Sequence, residues 1–249
     1  IDAADAAGAR RNIVVTGFGG DVVREAIGDS VEYVEQREQL GTGHAVLQTK
    51  DLLAKEHGTI MVLCGDTPLL TAELLARFHE EHVNAGAKAT VLTAIMPNAK
   101  GYGRIVRRES GEVLKIVEHK DATPEEREIH EVNAGIYCFD AQALFAALAQ
   151  VTNDNAQGEY YLPDVLSILR DAGEKIWAVV ADNYESTLGI NSRSQLAVAE
   201  RILRRRKVEE LMAEGVTIID PHTTFIDAEV RIGMDTVIYP FTFLEGLTV

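Results

Sequence analysis

The chain has 249 residues, 46% of them hydrophobic and 25% charged, which suits one large globular domain, or one domain plus a small appendage, and excludes a collagen-like or wholly disordered chain. Its 39 acidic against 24 basic residues give a formal charge of −15, so it is a poor non-specific ligand for nucleic acid, whose phosphates need clustered Lys and Arg. Small phosphate-bearing ligands, which a metal ion and a few donors can hold, stay open. Cys64 and Cys138, the two cysteines, fit a reducing interior rather than a disulfide framework. No apolar run approaches the roughly 20 residues of a bilayer span, and no signal-peptide pattern opens the chain. The expectation is a soluble, cytoplasmic protein with neither a membrane nor a nucleic-acid partner.

The first residues, with Ile1, Ala4 and Ala7 three apart and Gly8 as a stop, read as a helix end without an initiator Met, so upstream residues are expected. Residues 12–17 read as a buried strand, 21–27 as a short helix and 31–34 as a second short strand. A helix is expected over 43–53. Residues 59–64 are an apolar strand running into Gly65-Asp66, and Thr71 caps a helix over 72–85. Residues 89–95 are again strand-like. This alternation predicts an α/β domain with a mostly parallel sheet, which binds ligands at the carboxyl ends of its strands, where Gly65 and Asp66 fall. Residues 103–106 and 113–118 flank Ser110-Gly111 as a hairpin. Thr123-Pro124 opens a short acidic helix or turn. A strand follows over 131–139, helices over 141–149 and 161–172, and a last strand over 176–180. A long amphipathic helix spans about 193–214, with Leu196, Ala199, Leu203 and Leu211 on one face. Its basic run, Arg204 to Lys207, reads as a solvated face or a partner surface.

The last 30 residues differ in kind. Ile226, Ile232, Ile238 and Leu244 recur every six residues, the spacing of a left-handed parallel β-helix, although simple strand alternation supplies part of that pattern. A segment this short makes little more than one coil, and one coil cannot bury its own core. Residues beyond the C-terminal end are therefore expected as well.

Four local patterns carry the candidate chemistry, each with a plainer structural reading beside it. In residues 36–45, Gly41 and Gly43 let the backbone approach a ligand closely at a helix start; the alternative is a tight turn with a Thr cap, and His44 reads better as helix packing than as catalysis. In Leu63-Cys64-Gly65-Asp66-Thr67-Pro68-Leu69, Asp66 offers one hard oxygen where Mg²⁺ accepts one or two protein ligands plus phosphates and waters, or simply opens a turn before Pro68. Cys64 reads as a small buried hydrophobe, with no zinc-like spacing around it. Gly103 could present a backbone amide to a sugar and Glu118 could accept its hydroxyl or amide hydrogens, or both belong to charged loops. Asn133, an unfavourable residue in a strand, should have a specific partner. Asn191 reads by default as the cap of the long helix.

In this order the patterns resemble the bacterial N-acetylglucosamine-1-phosphate uridylyltransferases, a bifunctional family joining a pyrophosphorylase domain to a left-handed β-helix acetyltransferase domain. The most specific pieces are Glu38-Gln39-Leu40-Gly41-Thr42-Gly43-His44-Ala45, Val117-Glu118-His119-Lys120-Asp121-Ala122 and Asn155-Ala156-Gln157-Gly158-Glu159-Tyr160-Tyr161. The resemblance implies a Rossmann-like pyrophosphorylase domain over 1–192, a connecting helix over 193–215 and the first β-helix coil over 216–249. It implies that Gln36 hydrogen-bonds uracil while Gly41 and Thr42 line the nucleotide, with Cys64 and Gly65 beside it. Asp66 and Asn191 would hold the catalytic Mg²⁺. Gly103, Glu118 and Asn133 would hold the N-acetylglucosamine moiety, with Tyr161 nearby. The implied reaction joins UTP and N-acetylglucosamine-1-phosphate into UDP-N-acetylglucosamine and pyrophosphate for cell-wall precursor synthesis, without a covalent intermediate and without any His acting as base. The parent would be a homotrimer through its β-helix. Three departures stand out. The family's glycine-rich loop, with its Arg and Lys, falls upstream of Ile1; Cys64 stands where Tyr is common; Ala134 stands where Thr is common. Two other readings compete: a nucleotidylyltransferase for another sugar-1-phosphate, such as glucose-1-phosphate, and a non-catalytic remnant that binds nucleotide-sugar or assembles through its coil.

Overall fold

The computed structural model describes residues 1–155 and 157–249; Ala156, within the third of those specific motifs, lies outside the described residues. The chain forms two compact units: Ile1–Cys64 with Leu70–Thr187, and Gly65–Leu69 with Leu188–Val249.

The first unit runs α1 (Asp2–Ala6), β1 (Ile13–Thr16), α2 (Gly20–Ile27), β2 (Glu32–Glu35), α3 (Thr42–Leu47), α4 (Lys50–Leu53), β3 (Thr59–Val62), α5 (Ala72–Ala85), β4 (Ala89–Ile95), β5 (Arg104–Arg107), β6 (Val113–Val117), α6 (Pro124–Arg127), β7 (Glu131–Asp140), α7 (Ala141–Leu148), α8 (Asp164–Asp171) and β8 (Ile176–Val180). Its main sheet has the order β6-β5-β7-β4-β8, with β3 also paired to β7. β3, β4, β5 and β8 all run one way, which is the mostly parallel direction expected of an α/β sheet. β7 lies between them and runs against them, however, so β4–β8 is the parallel pair and the pairs made by β7 are antiparallel. β1 and β2 form a separate parallel pair.

Both faces of the sheet are covered. Ala89 and Val91 of β4, with Tyr137 and Phe139 of β7, pack against Leu144, Phe145 and Leu148 of α7 and Val165, Leu166 and Leu169 of α8. Their alternate neighbours Leu92, Ile136 and Cys138 pack against Leu74 and Phe78 of α5. A strand covered on both faces reads as a continuous apolar run, which is why β4 was legible without alternation.

Several boundaries differ from expectation. The helix expected over 43–53 is two, α3 and α4, because Thr49 turns its hydroxyl back onto the Val46 carbonyl at 2.7 Å between them. The helix expected from 161 begins at Asp164, after Pro163. β1, read as buried, is half-buried apart from Thr16. Thr71 caps α5 as expected, its hydroxyl accepting from Leu74 N, and Thr123 forms a full capping box with Glu126.

The second unit contains α9 (Arg193–Ala213) and the two-residue strands β9 (Thr217–Ile218), β10 (Phe225–Ile226), β11 (Val237–Ile238) and β12 (Phe243–Leu244). β9 pairs in parallel with β11 and β10 with β12. Ile226, Ile232, Ile238 and Leu244 fall in one apolar cluster with Val208 and Leu211 of α9. The helix face read from sequence needs correction: Leu196 and Leu203 are exposed, and the buried residues are Ala199, Ile202, Val208 and Leu211. At about 100° per residue the first two lie opposite the last two. Each half of α9 therefore buries a different side, Ala199 and Ile202 against Leu69 and Val208 and Leu211 against the coil strands. The basic run is not a free surface either. Arg204 lies 4.0 Å from the Phe225 ring, Arg205 pairs with Glu209, Arg206 donates to the Leu69 carbonyl and Lys207 pairs with Glu210. No helix among the described residues is long and apolar enough to cross a membrane.

Candidate functional site

In the first unit, the Gly41-Thr42-Gly43 turn is fastened to the segment 159–162. Gly43 N donates to the Tyr160 carbonyl (2.8 Å), Tyr160 N to the Leu40 carbonyl (2.8 Å), and Leu162 N to the Thr42 hydroxyl (3.0 Å). A β-carbon on Gly41 would stand 2.7 Å from the Tyr160 carbonyl oxygen, and the φ of +103° is itself unfavourable for any other residue. The close approach that these glycines permit is thus to the chain's own backbone. Thr42 caps nothing in α3; its hydroxyl is spent on Leu162.

Gln36, nine-tenths buried at the end of β2, donates through Nε2 to the Gly41 carbonyl at 3.0 Å and lies 3.1 Å from His44 Nδ1. Gln39, not singled out from the sequence, folds back so that its amide donates to the Gln36 carbonyl. It also crosses Gly17, where a β-carbon would meet Gln39 Nε2 at 3.0 Å. A polar side chain lying across a glycine was the signal available, but it joins positions 22 residues apart only in the fold.

A second group forms where β7 bulges. Between Leu92 and Thr93 of β4 the register jumps from Ile136 to Asn133, leaving Ala134 and Gly135 out of the ladder. Gly135 has φ +73°, its N–H donates to Asn133 Oδ1 (2.9 Å), and its carbonyl accepts from the Cys64 thiol (3.3 Å). Asn133 Nδ2 donates to the Tyr137 hydroxyl at 2.7 Å, which supplies the partner its place in a strand demanded. Asn133 N donates to the Gly103 carbonyl, and Glu118 Oε1 lies 3.3 Å from where a Gly103 β-carbon would be. The structure therefore brings Cys64, Gly103, Glu118 and Asn133 to one bulge.

The electrostatics here are acidic and strained. Burial, with Asp121 and Asp164 nearby, holds the Glu118 carboxyl above the ordinary carboxylate value, and no donor among the described residues reaches its oxygens. Asp164 at the start of α8 is raised by burial as well. Tyr161 is pushed up by burial, then by Glu159, with smaller effects from Glu118 and Asp121, which puts it in the same field.

In the second unit, Gly65 is open and exposed, with nothing near its missing side chain. Asp66 and Asn191 meet over Gly189: a β-carbon there would stand 3.3 Å from Asp66 Oδ2 and 3.9 Å from Asn191 Nδ2. The Asp66 carbonyl accepts from Ile190 N at 2.8 Å, fixing the pair in place. No cation among the described residues pairs with the Asp66 carboxylate. Asn191 is not the helix cap; Ser192 is, its hydroxyl accepting from Gln195 N. The Asn191 side chain is thereby left for another use. Among the described residues no three His, Cys, Asp or Glu side chains gather as a metal cage. One unpaired carboxylate with one amide is nevertheless a fitting donor set for Mg²⁺, which keeps its waters and takes substrate phosphates.

The sequence profile of a family described as nucleotidyl transferase matches residues 6–189. The chain is 53% identical over all of its 249 residues to a bifunctional protein GlmU of Geobacillus thermodenitrificans, covering 54% of that relative. It is 54% identical over 97% of its length to the one of Geobacillus sp. WCH70, covering 53% of it. The chain thus spans about half the length of the curated relatives it matches. Among solved structures, a UDP-glucose pyrophosphorylase complexed with UDP-glucose shares the fold with a TM-score of 0.63 at 16% identity, over 82% of this chain and 84% of that one.

Proposed function

The chain belongs to the nucleotidyl transferase family, and on that premise we propose that it is the uridylyltransferase portion of an enzyme that makes UDP-N-acetylglucosamine from UTP and N-acetylglucosamine-1-phosphate for cell-wall precursor synthesis. The observation that carries this reading is the unpaired Asp66 carboxylate facing the Asn191 amide across Gly189. The sequence motifs supply the substrates, and the high identity to GlmU relatives along the whole chain supports them.

In this reading Gln36, Gly41 and Thr42 address the uridine, with Cys64 and Gly65 beside the nucleotide. Gly103, Glu118 and Asn133 hold the acetylated sugar with Tyr161. Asp66 and Asn191 would hold Mg²⁺, which would supply charge neutralisation to the phosphates. An oxygen of the sugar-1-phosphate attacks the α-phosphorus of UTP in line. That P–O bond forms as the bond to the bridging oxygen of the β-phosphate breaks, and pyrophosphate leaves with the electron pair. The attacking phosphate is already anionic, so no side chain has to take a proton. The protein's contribution is orientation and charge placement.

The same reading divides the chain into a pyrophosphorylase domain over 1–192, a connecting helix over 193–215 and the first coil of a left-handed β-helix over 216–249, within a cytoplasmic parent that trimerises through that coil. The parallel pairing of β9 with β11 and β10 with β12 supports it. Titration of UDP-N-acetylglucosamine into the chain with and without Mg²⁺ tests the metal assignment. Binding should strengthen with Mg²⁺, and Asp66→Asn should remove that gain; a gain that survives the substitution sinks the assignment.

A further inference from the structure

We propose that His44 is a positioning residue that locks the Gln36 amide with its carbonyl oxygen free, and so selects uracil over cytosine. This rests on the reading of Gln36 as the group that meets the base.

Amide orientation is set by the hydrogen-bond network rather than by atom positions alone. At Gln36 the network is decisive on one side: the Gly41 carbonyl, 3.0 Å away, is an acceptor in every protonation state, so Nε2 must face it. The second hydrogen of that NH2 group points to His44 Nδ1 at 3.1 Å. On the far side of the ring, Gln48 Nε2 lies 3.0 Å from His44 Nε2 and 3.0 Å from the His44 carbonyl. A neutral imidazole accepts at one nitrogen and donates from the other, so it cannot receive both amides.

Burial decides between them. Gln36 is 9% exposed and cannot turn away without leaving its NH2 group unpaired. Gln48 is half-buried at the end of α3, and its backbone N–H already reaches the His44 carbonyl at 3.3 Å, so its side chain can turn. His44 therefore carries its proton on Nε2 and offers the Nδ1 lone pair to Gln36. With both amide hydrogens engaged, Gln36 Oε1 keeps its lone pairs; no donor among the described residues reaches it. Uracil presents N3–H to such an oxygen, whereas cytosine presents a lone pair. Without the Nδ1 acceptor, the Gly41 carbonyl still holds Nε2, but the second amide hydrogen is left unpaired in a buried site, and a swing of the amide about that single tie offers this hydrogen to the lone pair that cytosine presents.

Titrations of UTP and CTP into the wild-type chain, His44→Phe and His44→Asn test this, together with ¹⁵N NMR of the His44 ring in the wild type. The wild type should prefer UTP, His44→Phe should lose about tenfold or more of that preference, because a site that fixes a polar edge discriminates by leaving groups unpaired, and His44→Asn, whose oxygen can stand in for Nδ1, should keep most of it. The NMR should place the proton on Nε2. An unchanged UTP preference in His44→Phe, or a proton on Nδ1, would overturn the lock, and the ring measurement decides even where the Phe variant does not fold. A wild type with no preference for UTP instead removes Gln36 as the reader of the base, while the tautomer still reports on the lock.

Discussion

The Tyr160 carbonyl oxygen lies 2.8 Å from the backbone nitrogen of Gly43 and 2.7 Å from where a β-carbon on Gly41 would stand. Two glycines thus serve one contact between segments more than 110 residues apart in the chain. Gly41→Ala meets that oxygen and forces a left-handed φ on alanine, so it should lower the unfolding free energy by about 3 kcal/mol in urea. Gly65→Ala, with open space around it and no positive φ, should leave stability unchanged. Equal effects from the two would mean that the 41–43 turn is not held by residue 160.

Glu118 should oppose stability and serve binding. Its carboxyl is raised in the folded state by burial, Asp121 and Asp164. The native state then holds more protons than the unfolded state between the two values, so the contribution of this group is present at low pH and is lost as pH rises through the raised value. Glu118→Gln should accordingly be more stable than wild type at pH 7, with a smaller gain at pH 4. The same change should weaken binding of N-acetylglucosamine-1-phosphate, because an acceptor-only carboxylate becomes an amide. Urea unfolding at the two pH values and sugar-phosphate titration give the two readouts, and a destabilised Glu118→Gln at pH 7 would contradict the account of this group.

Tyr137 anchors Asn133 rather than touching a ligand. Tyr137→Phe leaves the half-buried Asn133 amide without its 2.7 Å acceptor, at an expected cost of about 1 kcal/mol in stability. With the amide freed, affinity for the sugar-phosphate should fall while affinity for UTP holds. Equal losses for both would point to collapse of the β7 bulge instead.

Asn191 and Ser192 are neighbours with separable roles. Ser192→Ala removes the α9 cap and should cost about 1 kcal/mol of stability with the Mg²⁺ response intact. Asn191→Ala should leave stability unchanged and diminish the gain in UDP-N-acetylglucosamine binding that Mg²⁺ gives. Thermal melts beside titrations with and without Mg²⁺ distinguish the two.

What was legible in the sequence was local. α5, β4, β8 and α9 follow from apolar period and capping, and the six-residue spacing of Ile226, Ile232, Ile238 and Leu244 predicted that these side chains share a core. Pairing partners were not legible: nothing within 131–140 says that β7 lies between β4 on one side and β3 and β5 on the other, antiparallel to each, and its bulge is marked only by Gly135. The faces of α9 are not legible from a single apolar stripe, because the helix buries two opposed ones. Of the candidate site, the residue types were visible and their supports were not. Tyr137 beneath Asn133, Gln39 across Gly17 and Tyr160 behind Gly41 are contacts that only the fold creates.

Pyrophosphate release from UTP with Mg²⁺, measured with N-acetylglucosamine-1-phosphate and again with glucose-1-phosphate, tests the central claim most directly. The account predicts release that strongly favours the acetylated sugar. Equal release with both sugars would contradict it.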